Sequence, residues 1–507
     1  MTASEETILF IPNGSAVPTA QVPVLRMGTW LGVVANCLAG GNRLSALFAI
    51  EADNRHQLFA VLGSPARKQV GVVSTFVSGS YPCLTTDCPS AHWFEREIYE
   101  LHGVEPEGHP WLKPIRFVRP HVQGRFRPTV GVTGFFGMDG AEVHEVGVGP
   151  VHAGVIEPGH FRFQCHGETV YHLEISLGYQ HRGIERALTG GPDGRTIHYL
   201  ETAAGDSTVA HASTYCRLIE ALTSVKPSRH AQIVRALGIE LERMANHCGD
   251  LGALAGDVGF LPTQNYCSRI RGEILNMTAL ICGNRFGRNL TIPGGVRHEL
   301  DRERCDSLRK RLDAIEADLV SAVPLMFETP SVMARMDGTG IVTRDDAIAI
   351  GLVGPAARAS GVPVDVRVDL PYGAIDDLEF HVPTCTAGDC AARAGIRWME
   401  MRQSIEMVRA LLAAAIRDDA APRANGVEQA VGTLPGNMMA ISLSEGWRGE
   451  VCHVAATDWD GRFSFYKMVD PSFHNWFGLA MSLRNQQISD FPLCNKSFNL
   501  SYCGHDL

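Results

Sequence analysis

Apolar residues recur every three or four positions through one stretch in the middle of the chain. They are Ile233, Leu237, Leu241, Met244, Cys248, Leu251 and Ala255. Steps of this size return to the same side of an α-helix, so the stretch predicts a long helix inside a bundle.

A second face of the same helix carries His247, Asp250, Leu254 and Asp257. Carboxylates on such a face either point into solvent or line a functional site, and the pattern alone leaves both interpretations open. Residues 301–325 and 391–418 predict further helices.

A period of two residues marks the segment 161–177. Phe161, Phe163 and Cys165 alternate with other residues before a turn at His166-Gly167, and Tyr171, Leu173, Ile175 and Leu177 alternate after it. Two such runs joined by a turn predict an antiparallel β-hairpin. Residues 1–120 mix short apolar runs with a helix-like segment that begins at Trp93, which predicts a small α/β domain. Residues 363–383 predict strand and loop.

Proline-containing dipeptides divide the chain. They are His109-Pro110, Lys113-Pro114, Arg119-Pro120 and Arg127-Pro128, and each residue before a proline is pushed out of the helical region. The length of 507 residues also exceeds what one hydrophobic core fills. We therefore expect a domain over 1–125, a linker over 126–148 and a second domain over 149–507. The expected fold class is α+β, with a small α/β domain followed by a mainly helical domain that opens with the hairpin.

Composition narrows the kind of protein. The formal net charge of −10 argues against nucleic acid as a partner, because that role requires a clustered basic surface. The residues after Met1 are acidic where an export signal is basic, and no apolar run is long enough to cross a membrane. We therefore expect a cytoplasmic chain that reaches a membrane only through partner subunits. The 14 cysteines include no C-x-x-C pair, and reduced, mostly buried thiols are expected.

Two groups of motifs resemble subunits of respiratory complex I. Glu95-Arg-Glu-Ile-Tyr-Glu-Leu-His-Gly-Val and Gly108-His-Pro-Trp-Leu resemble the signature of the complex I subunit that lies beside the large, cluster-facing subunit. Gly149-Pro-Val-His-Ala-Gly-Val-Ile-Glu-Pro-Gly-His and Leu177-Gly-Tyr-Gln-His-Arg-Gly-Ile-Glu resemble the opening of that large subunit and of its counterpart in formate hydrogenlyase-type nickel-iron hydrogenases. The resemblance extends over about residues 85–507. It implies an electron-transfer subunit of a membrane-associated, energy-converting oxidoreductase complex.

The resemblance also identifies the positions where hydrogenases hold nickel. Their first ligand loop, C-G-x-C-x-x-x-H, is matched by Ala204-Gly-Asp-Ser-Thr-Val-Ala-His, and their second, D-P-C-x-x-C, by Asp470-Pro-Ser-Phe-His-Asn. Ala204, Ser207, Ser472 and Asn475 therefore stand where four thiolates are needed. Methyl, hydroxyl and amide groups do not replace soft thiolates as nickel ligands, so we predict no nickel-iron centre. Asp206, His211 and His474 have no spacing typical of a site for a harder metal, and no metal ligand is predicted.

Further residues acquire candidate roles from the resemblance. The resemblance implies an internal cavity, and the candidate catalytic residues around it are Glu157, His160, Asp206, His211 and Asp257. Of these, Glu157 and Asp257 match carboxylates that transfer protons. His160, with His152 as a second candidate, matches a quinone-loop histidine, while Gly205 stands where complex I has its quinone-side tyrosine. His181 and Arg182 are expected to face the 4Fe-4S cluster of a partner, where positive charge and hydrogen bonds raise its potential. Capping of the next helix is the alternative for this pair.

The implied partners are a small iron–sulfur subunit, antiporter-like membrane-arm subunits and a quinone. They place the chain on the inner face of the cell membrane, with no cofactor bound by the chain itself. Two other functions remain open. Loss of the nickel ligands is also what a redox-silent scaffold would show, and a nickel hydrogenase with unusual ligands is the third interpretation.

Overall fold

A computed structural model of the chain describes residues 7–52, 55–121, 128–152, 154, 156–418 and 433–507. The strands are β1 (Leu9–Ile11), β2 (Ser15–Pro18), β3 (Val24–Leu25), β4 (Arg43–Ala52), β5 (Arg55–Ser64), β6 (Gln69–Val77), β7 (Ser80–Pro82), β8 (Glu105–Glu107), β9 (Val143–Val148), β10 (His160–His166), β11 (Thr169–Ser176), β12 (Thr291–Ile292), β13 (Gly295–Val296), β14 (Met438–Gly446), β15 (Gly449–Thr457) and β16 (Phe463–Val469).

Most of the described helices lie between β11 and β14 or after β16. The α-helices are α1 (Met27–Ala39), α2 (His92–His102), α3 (Ile184–Leu188), α4 (Thr196–Glu201), α5 (Thr208–Thr223), α6 (Arg229–Asp257), α7 (Leu261–Cys282), α8 (Arg302–Ala322), α9 (Pro324–Phe327), α10 (Pro330–Met336), α11 (Arg344–Ala349), α12 (Gly354–Ala359), α13 (Val366–Asp369), α14 (Cys390–Asp418), α15 (Pro471–Ser482), α16 (Phe491–Phe498) and α17 (Tyr502–Asp506). Short 3₁₀ helices cover Thr19–Gln21, Pro89–Ala91, Gly373–Asp377 and Ile488–Asp490.

A five-stranded sheet forms the amino-terminal part of the fold. Its order is β1-β6-β5-β4, and β3 pairs with β6 in parallel while the other pairs are antiparallel. Helices α1 and α2 pack against β6 and β4 respectively. The predicted combination of strands and helices before residue 120 is therefore confirmed.

A second sheet belongs to the later part of the chain and recruits one early strand. Its order is β16-β15-β14-β2, and all of its pairs are antiparallel. Strand β2 joins the edge of this sheet, so the residues before 125 are not confined to one sheet. The domain limits at 125 and 149 stay predictions.

The predicted hairpin is present and gains a third strand. Strands β10 and β11 pair around Gly167, whose φ of +56° suits the tight turn. Strand β9 pairs with the other edge of β10, so part of the expected linker is a strand. Phe161, Phe163 and Cys165 are buried as the alternation predicts.

The helical core is built around α6, which begins where the Ser228 side chain accepts a hydrogen bond from the Ala231 backbone. Helices α7 and α14 pack against α6, and α8 packs against both of them. All seven residues of the predicted apolar stripe are buried, which confirms the expected bundle. The predicted helices at 301–325 and 391–418 correspond to α8 and α14.

One expectation about secondary structure is wrong. Residues 363–383 contain α13 and the 3₁₀ helix Gly373–Asp377, and no strand. The Asp365 side chain accepts a hydrogen bond from the Arg367 backbone and so caps α13. Local capping therefore decides this segment, in which prolines had suggested extended backbone.

Among the helices of the described residues, none combines the length and apolar character that crossing a bilayer requires. The 14 cysteines are all free thiols, and 11 of them are buried. The scattered thiols therefore contribute mainly to packing.

Candidate functional site

The two predicted ligand loops come together in the core. Ala204 and Ser207 lie just before α5, and Ser472 and Asn475 lie in the first turns of α15. Between 0% and 1% of the surface of each of these four residues is exposed. All four positions therefore lie in the protein interior.

The polar groups at two of these positions are already committed to backbone partners. Ser472 Oγ accepts a hydrogen bond from the Ser501 backbone nitrogen at 2.9 Å. The Asn475 side chain accepts from the Val353 nitrogen at 3.0 Å and donates to the Val353 carbonyl at 3.1 Å. Ala204 offers no ligand atom. This donor set does not fit a nickel centre, because soft thiolates are replaced by groups that hold neighbouring loops together.

A continuous row of buried side chains lies beside these positions. Tyr466 Oη is 2.8 Å from His453 Nδ1, and His453 Nε2 is 3.1 Å from His211 Nδ1. His211 Nε2 is in turn 3.0 Å from Asp470 Oδ2. At most 2% of each of these four residues is exposed. We call this row, Tyr466–His453–His211–Asp470, the histidine relay.

Three neighbouring elements bring the relay together. Strand β16 carries Tyr466 and ends just before Asp470, the adjacent strand β15 carries His453, and α5, which packs against β15, presents His211. The 2.8 Å bond from Ser472 nitrogen to Asp470 Oδ1 makes Asp470 the cap of α15. The carboxylate therefore has a fixed position beside a former ligand loop.

Proton positions in the relay follow from which groups can donate. An ionised Asp470 only accepts, so His211 Nε2 carries a hydrogen and His211 Nδ1 accepts from His453 Nε2. His453 Nδ1 then accepts from the Tyr466 hydroxyl. Burial holds the pKa of His453 well below its usual range, as do the neighbouring His211 and Arg217. Both rings can thus be neutral with every donor pointing toward Asp470.

Charge at the Asp470 end is balanced by ion pairs. Burial opposes ionisation of Asp470, but the hydrogen bonds from His211 and Ser472, together with the charge of Arg448, hold its pKa below the usual range. Arg448 also binds both oxygens of Asp206 at 2.6 and 2.8 Å. The structure thus brings the predicted residues Asp206 and His211 to one charged centre.

Glu157, just before β10, contacts the carboxyl-terminal segment. Its Oε2 accepts a hydrogen bond from the Tyr502 nitrogen at 3.2 Å. The adjacent residue, Ser501, is the one that donates to Ser472. Glu157 is half-buried, so it lies between the surface and the loop that carries Ser472.

A cleft of about 680 Å³ lies beside the Tyr466 end of the relay. Tyr466, His181 and Arg182 all line it. His181 Nδ1 donates to the Asp506 carbonyl at 2.8 Å, and Arg182 donates to the carbonyls of Thr202 and Ala203 at 2.6 Å. Neither side chain caps α3, so the capping alternative is wrong. Both hold the carboxyl-terminal segment and the first ligand loop at the edge of the cleft.

The chain is similar to hydrogenase and respiratory-chain proteins. The chain is 31% identical over 359 residues to the carbon monoxide-induced hydrogenase of Rhodospirillum rubrum, a match that covers 70% of this chain and 97% of that protein. Residues 257–506 match the family model of the respiratory-chain NADH dehydrogenase 49 kDa subunit, and residues 29–126 match that of the 30 kDa subunit. The chain belongs to the first of these families, and the carbon monoxide-induced hydrogenase is among its relatives. A domain of the second family precedes it on the same chain.

Other relatives are subunits of both kinds of complex. Formate hydrogenlyase subunit 5 of Escherichia coli is 26% identical over 83% of this chain and 76% of its own length. An NADH-quinone oxidoreductase subunit of Gluconacetobacter diazotrophicus is 28% identical over 65% of this chain and 60% of its own length. The chain is therefore of the general kind found in oxidoreductase complexes.

Three predicted residues of this family member lie away from the relay. His160, on β10, is 5.3 Å from the Phe135 ring between ring centres, and burial lowers its pKa. His152 Nδ1 is 3.1 Å from the Gly149 carbonyl. Asp257 ends α6 with an exposed side chain, although partial burial of its carboxylate raises the pKa against the opposing charge of Lys496. Their proposed roles stay predictions.

A buried ion network underlies the site and was missed from the sequence. On α6, Glu240, Arg243 and His247 point inward, and Glu400 on α14 accepts from His247 at 2.8 Å. Arg358 binds Glu400 at 2.7 Å, and the network continues to Glu445, Asp365 and Arg367. The signal was present, because Glu240, Arg243 and His247 follow one another at helical spacing.

Proposed function

We propose that this chain is the proton-handling, cluster-facing subunit of a membrane-associated, energy-converting oxidoreductase complex. Electrons come from a 4Fe-4S cluster in a small partner subunit, and the chain moves protons in step with them. It does so without nickel. The relatives named as subunits of hydrogenases and of NADH-quinone oxidoreductases support this kind of complex.

The histidine relay carries the proposal. Its four groups are joined by hydrogen bonds of 2.8, 3.1 and 3.0 Å in a buried environment. A proton taken up by Tyr466 from the cleft shifts one proton along each bond, so that Asp470 receives a different proton and neither ring becomes charged. This transfer avoids the cost of placing an isolated charge in the core. Release of the proton from Asp470 back along the same hydrogen bonds returns both rings to their first tautomers before the next uptake.

The cleft is the proposed docking face for the iron–sulfur partner. His181 and Arg182 lie at its edge beside Tyr466, so the partner cluster and the entrance to the relay would share one surface. A membrane quinone is the proposed electron acceptor, and antiporter-like membrane-arm subunits are the proposed partners on the other side. The names of the NADH-quinone oxidoreductase relatives support the choice of quinone. The complex would lie on the inner face of the cell membrane.

Tyr466→Phe in the purified complex tests the relay. The variant removes one hydroxyl and leaves the ring packing in place, so the complex should assemble while its proton-coupled turnover falls at least about tenfold, at the lower end of what acid–base groups contribute. Turnover is measured with a reductant of the partner subunit and a soluble quinone, in water and in deuterium oxide. Tyr215→Phe is the matched control, because Tyr215 is 3% exposed in the same apolar cluster and lies outside the relay.

A redox-silent scaffold is the second candidate function. The hydrogen bonds of Asn475 to both backbone groups of Val353 favour it, because they give a former ligand position a purely structural use. Unchanged turnover of Tyr466→Phe in an intact complex would support the scaffold and end the relay proposal. Loss of assembly in Asn475→Ala with normal turnover in Tyr466→Phe would do the same.

A further inference from the structure

A group of histidines lies at the edge of the amino-terminal sheet, apart from the histidine relay. Glu51 is near the end of β4, His56 faces it from β5, and His102 is the last residue of α2. His121 belongs to the irregular segment that follows β8. Four separate parts of the chain thus supply metal-binding side chains to one place.

The spacing within this group is close to that of a metal site. One ligand atom each from Glu51, His102 and His121 lies within 4.8 Å of the other two. The His102 ring centre is 5.2 Å from that of His56 and 5.2 Å from that of His121. Three imidazoles and a carboxylate therefore surround one small volume.

His102 and His56 each contain a buried nitrogen without a partner. His102 is 8% exposed, and its Nδ1 makes no hydrogen bond to any described residue. His56 Nε2 is in the same condition. Buried polar atoms are nearly always paired in folded proteins, so two orphaned imidazole nitrogens in adjacent rings indicate that a further partner completes this group.

The two carboxylates next to this group of histidines already have other partners. Glu97 is paired with Arg116 and, at 2.7 Å, with Lys467. Glu100 accepts hydrogen bonds from the backbone of Ile115, Arg116 and Val118. Neither carboxylate is therefore a partner of the orphaned His102 and His56 nitrogens.

We propose that Glu51, His102 and His121, with His56 as a fourth neighbour, form a binding site for a divalent transition-metal ion of the zinc class. Histidine nitrogen and carboxylate oxygen are ordinary zinc ligands, and bonds of about 2 Å put tetrahedral ligand atoms roughly 3.3 Å apart. Glu51 and His121 are exposed, so their side chains can move inward and shorten the present separations of up to 4.8 Å to that distance. The buried His102 is the fixed point of the site.

A metal here would fasten the end of the amino-terminal region to the last turn of α2. The His121 backbone nitrogen already donates to the Leu101 carbonyl at 2.8 Å, which holds this segment beside the end of α2. His102 and His121 also line the cleft that Tyr466 borders. The ion would therefore stabilise one wall of that cleft, separately from any step in electron or proton transfer.

Titration of the full-length chain with Zn²⁺ alone tests the site. We expect about one ion per chain, and we expect His121→Gln and Glu51→Gln each to weaken binding at least about tenfold, since ligand loss exceeds the effect of losing an outer partner. Both residues are exposed, so these variants should fold normally even if His102→Gln does not. Co²⁺ as a second probe should give the visible bands of a nitrogen–oxygen site without sulfur charge-transfer bands.

His166→Gln is the matched control. Its Nε2 lies 3.0 Å from Glu142 in an exposed histidine–carboxylate pair that lacks further ligands among the described residues, so its loss should leave the titration unchanged. Equal binding by wild type, His121→Gln and Glu51→Gln would overturn the proposal. Absence of stoichiometric binding, or Co²⁺ spectra dominated by thiolate bands, would overturn it as well.

Discussion

His211 Nε2 lies 3.0 Å from Asp470 Oδ2, and neither side chain exposes any surface. They come from α5 and from the turn before α15, 259 residues apart in the chain. The contact joins the two loops that resemble nickel-ligand loops through a hydrogen bond between side chains. An oriented imidazole and a carboxylate thus connect the two loops.

Asp470→Asn should uncouple this pair with little change in fold. The amide can still accept from the Ser472 nitrogen and cap α15. It cannot hold the negative charge that orients the His211 proton, so we expect turnover of the complex to fall at least about tenfold. Steady-state quinone reduction with size-exclusion analysis of the complex checks this. Wild-type turnover in the assembled variant would show that the Asp470 charge is dispensable.

Arg358→Met should be strongly destabilising. Arg358 is fully buried and binds Glu400 at 2.7 Å and Glu445 at 2.9 Å, with Asp365 at 3.4 Å. Removing it leaves buried carboxylates without compensation, which costs about 3–5 kcal/mol of unfolding free energy. Denaturant unfolding of the purified chain measures the loss.

Arg409→Met is the surface control for this change. Arg409 pairs with Glu316 at 2.7 Å and Glu406 at 2.8 Å, but 34% of its side chain is exposed. Exposed ion pairs contribute about 0–1 kcal/mol. A similar loss of stability in both variants would mean that the buried network is no more important than a solvated pair.

Helix α6 and its buried ion pairs show which features the sequence could predict and which it could not. The apolar stripe of α6 predicted a buried helix because periodicity is a local property. The partners of Glu240 and Arg243 come from α13, α14 and β14, and no local pattern reveals contacts between such distant segments. The inward-facing charged residues of α6 therefore indicated a buried ion network. They did not indicate which residues of other elements belong to it.

The relay was predicted only in part for the same reason. His211 was identified through the resemblance to a ligand loop, as was Asp206, which binds Arg448 beside the relay. His453 and Tyr466 carry no motif, and they enter the site because β15 and β16 pair in a register that places both beside α5. Conversely, His160 was selected by loop similarity, although its strand places it beside Phe135.

Gly238→Ala should destabilise the bundle although alanine favours helices. A Cβ at Gly238 would lie 2.4 Å from Leu290 Cδ2 and 3.2 Å from Val209 Cγ1. Such overpacking costs roughly 1–3 kcal/mol. Gly32→Ala, on α1, is the control, since a Cβ there meets nothing within 4 Å, and it should stabilise by about 0.5–1 kcal/mol. Thermal unfolding compares the two, and stabilisation by both would refute the close approach at Gly238.

Glu242→Gln should change how stability depends on pH. Burial raises the pKa of Glu242 from 4.5 to about 8, while hydrogen bonds from the Val209 and Ala210 nitrogens oppose the shift. Because the folded-state pKa is raised, its contribution to stability is fully present below pH 4.5 and is lost as pH rises through 8. Between those two pH values the Glu242 carboxyl is ionised in the unfolded chain but protonated in the folded one. The free energy of unfolding therefore falls by up to about 1.4 kcal/mol per pH unit. The glutamine variant lacks this loss, so its stability relative to wild type should increase from pH 5 to about pH 8. Denaturant unfolding across this range measures the difference, and parallel pH profiles would show that Glu242 is ionised in the folded protein.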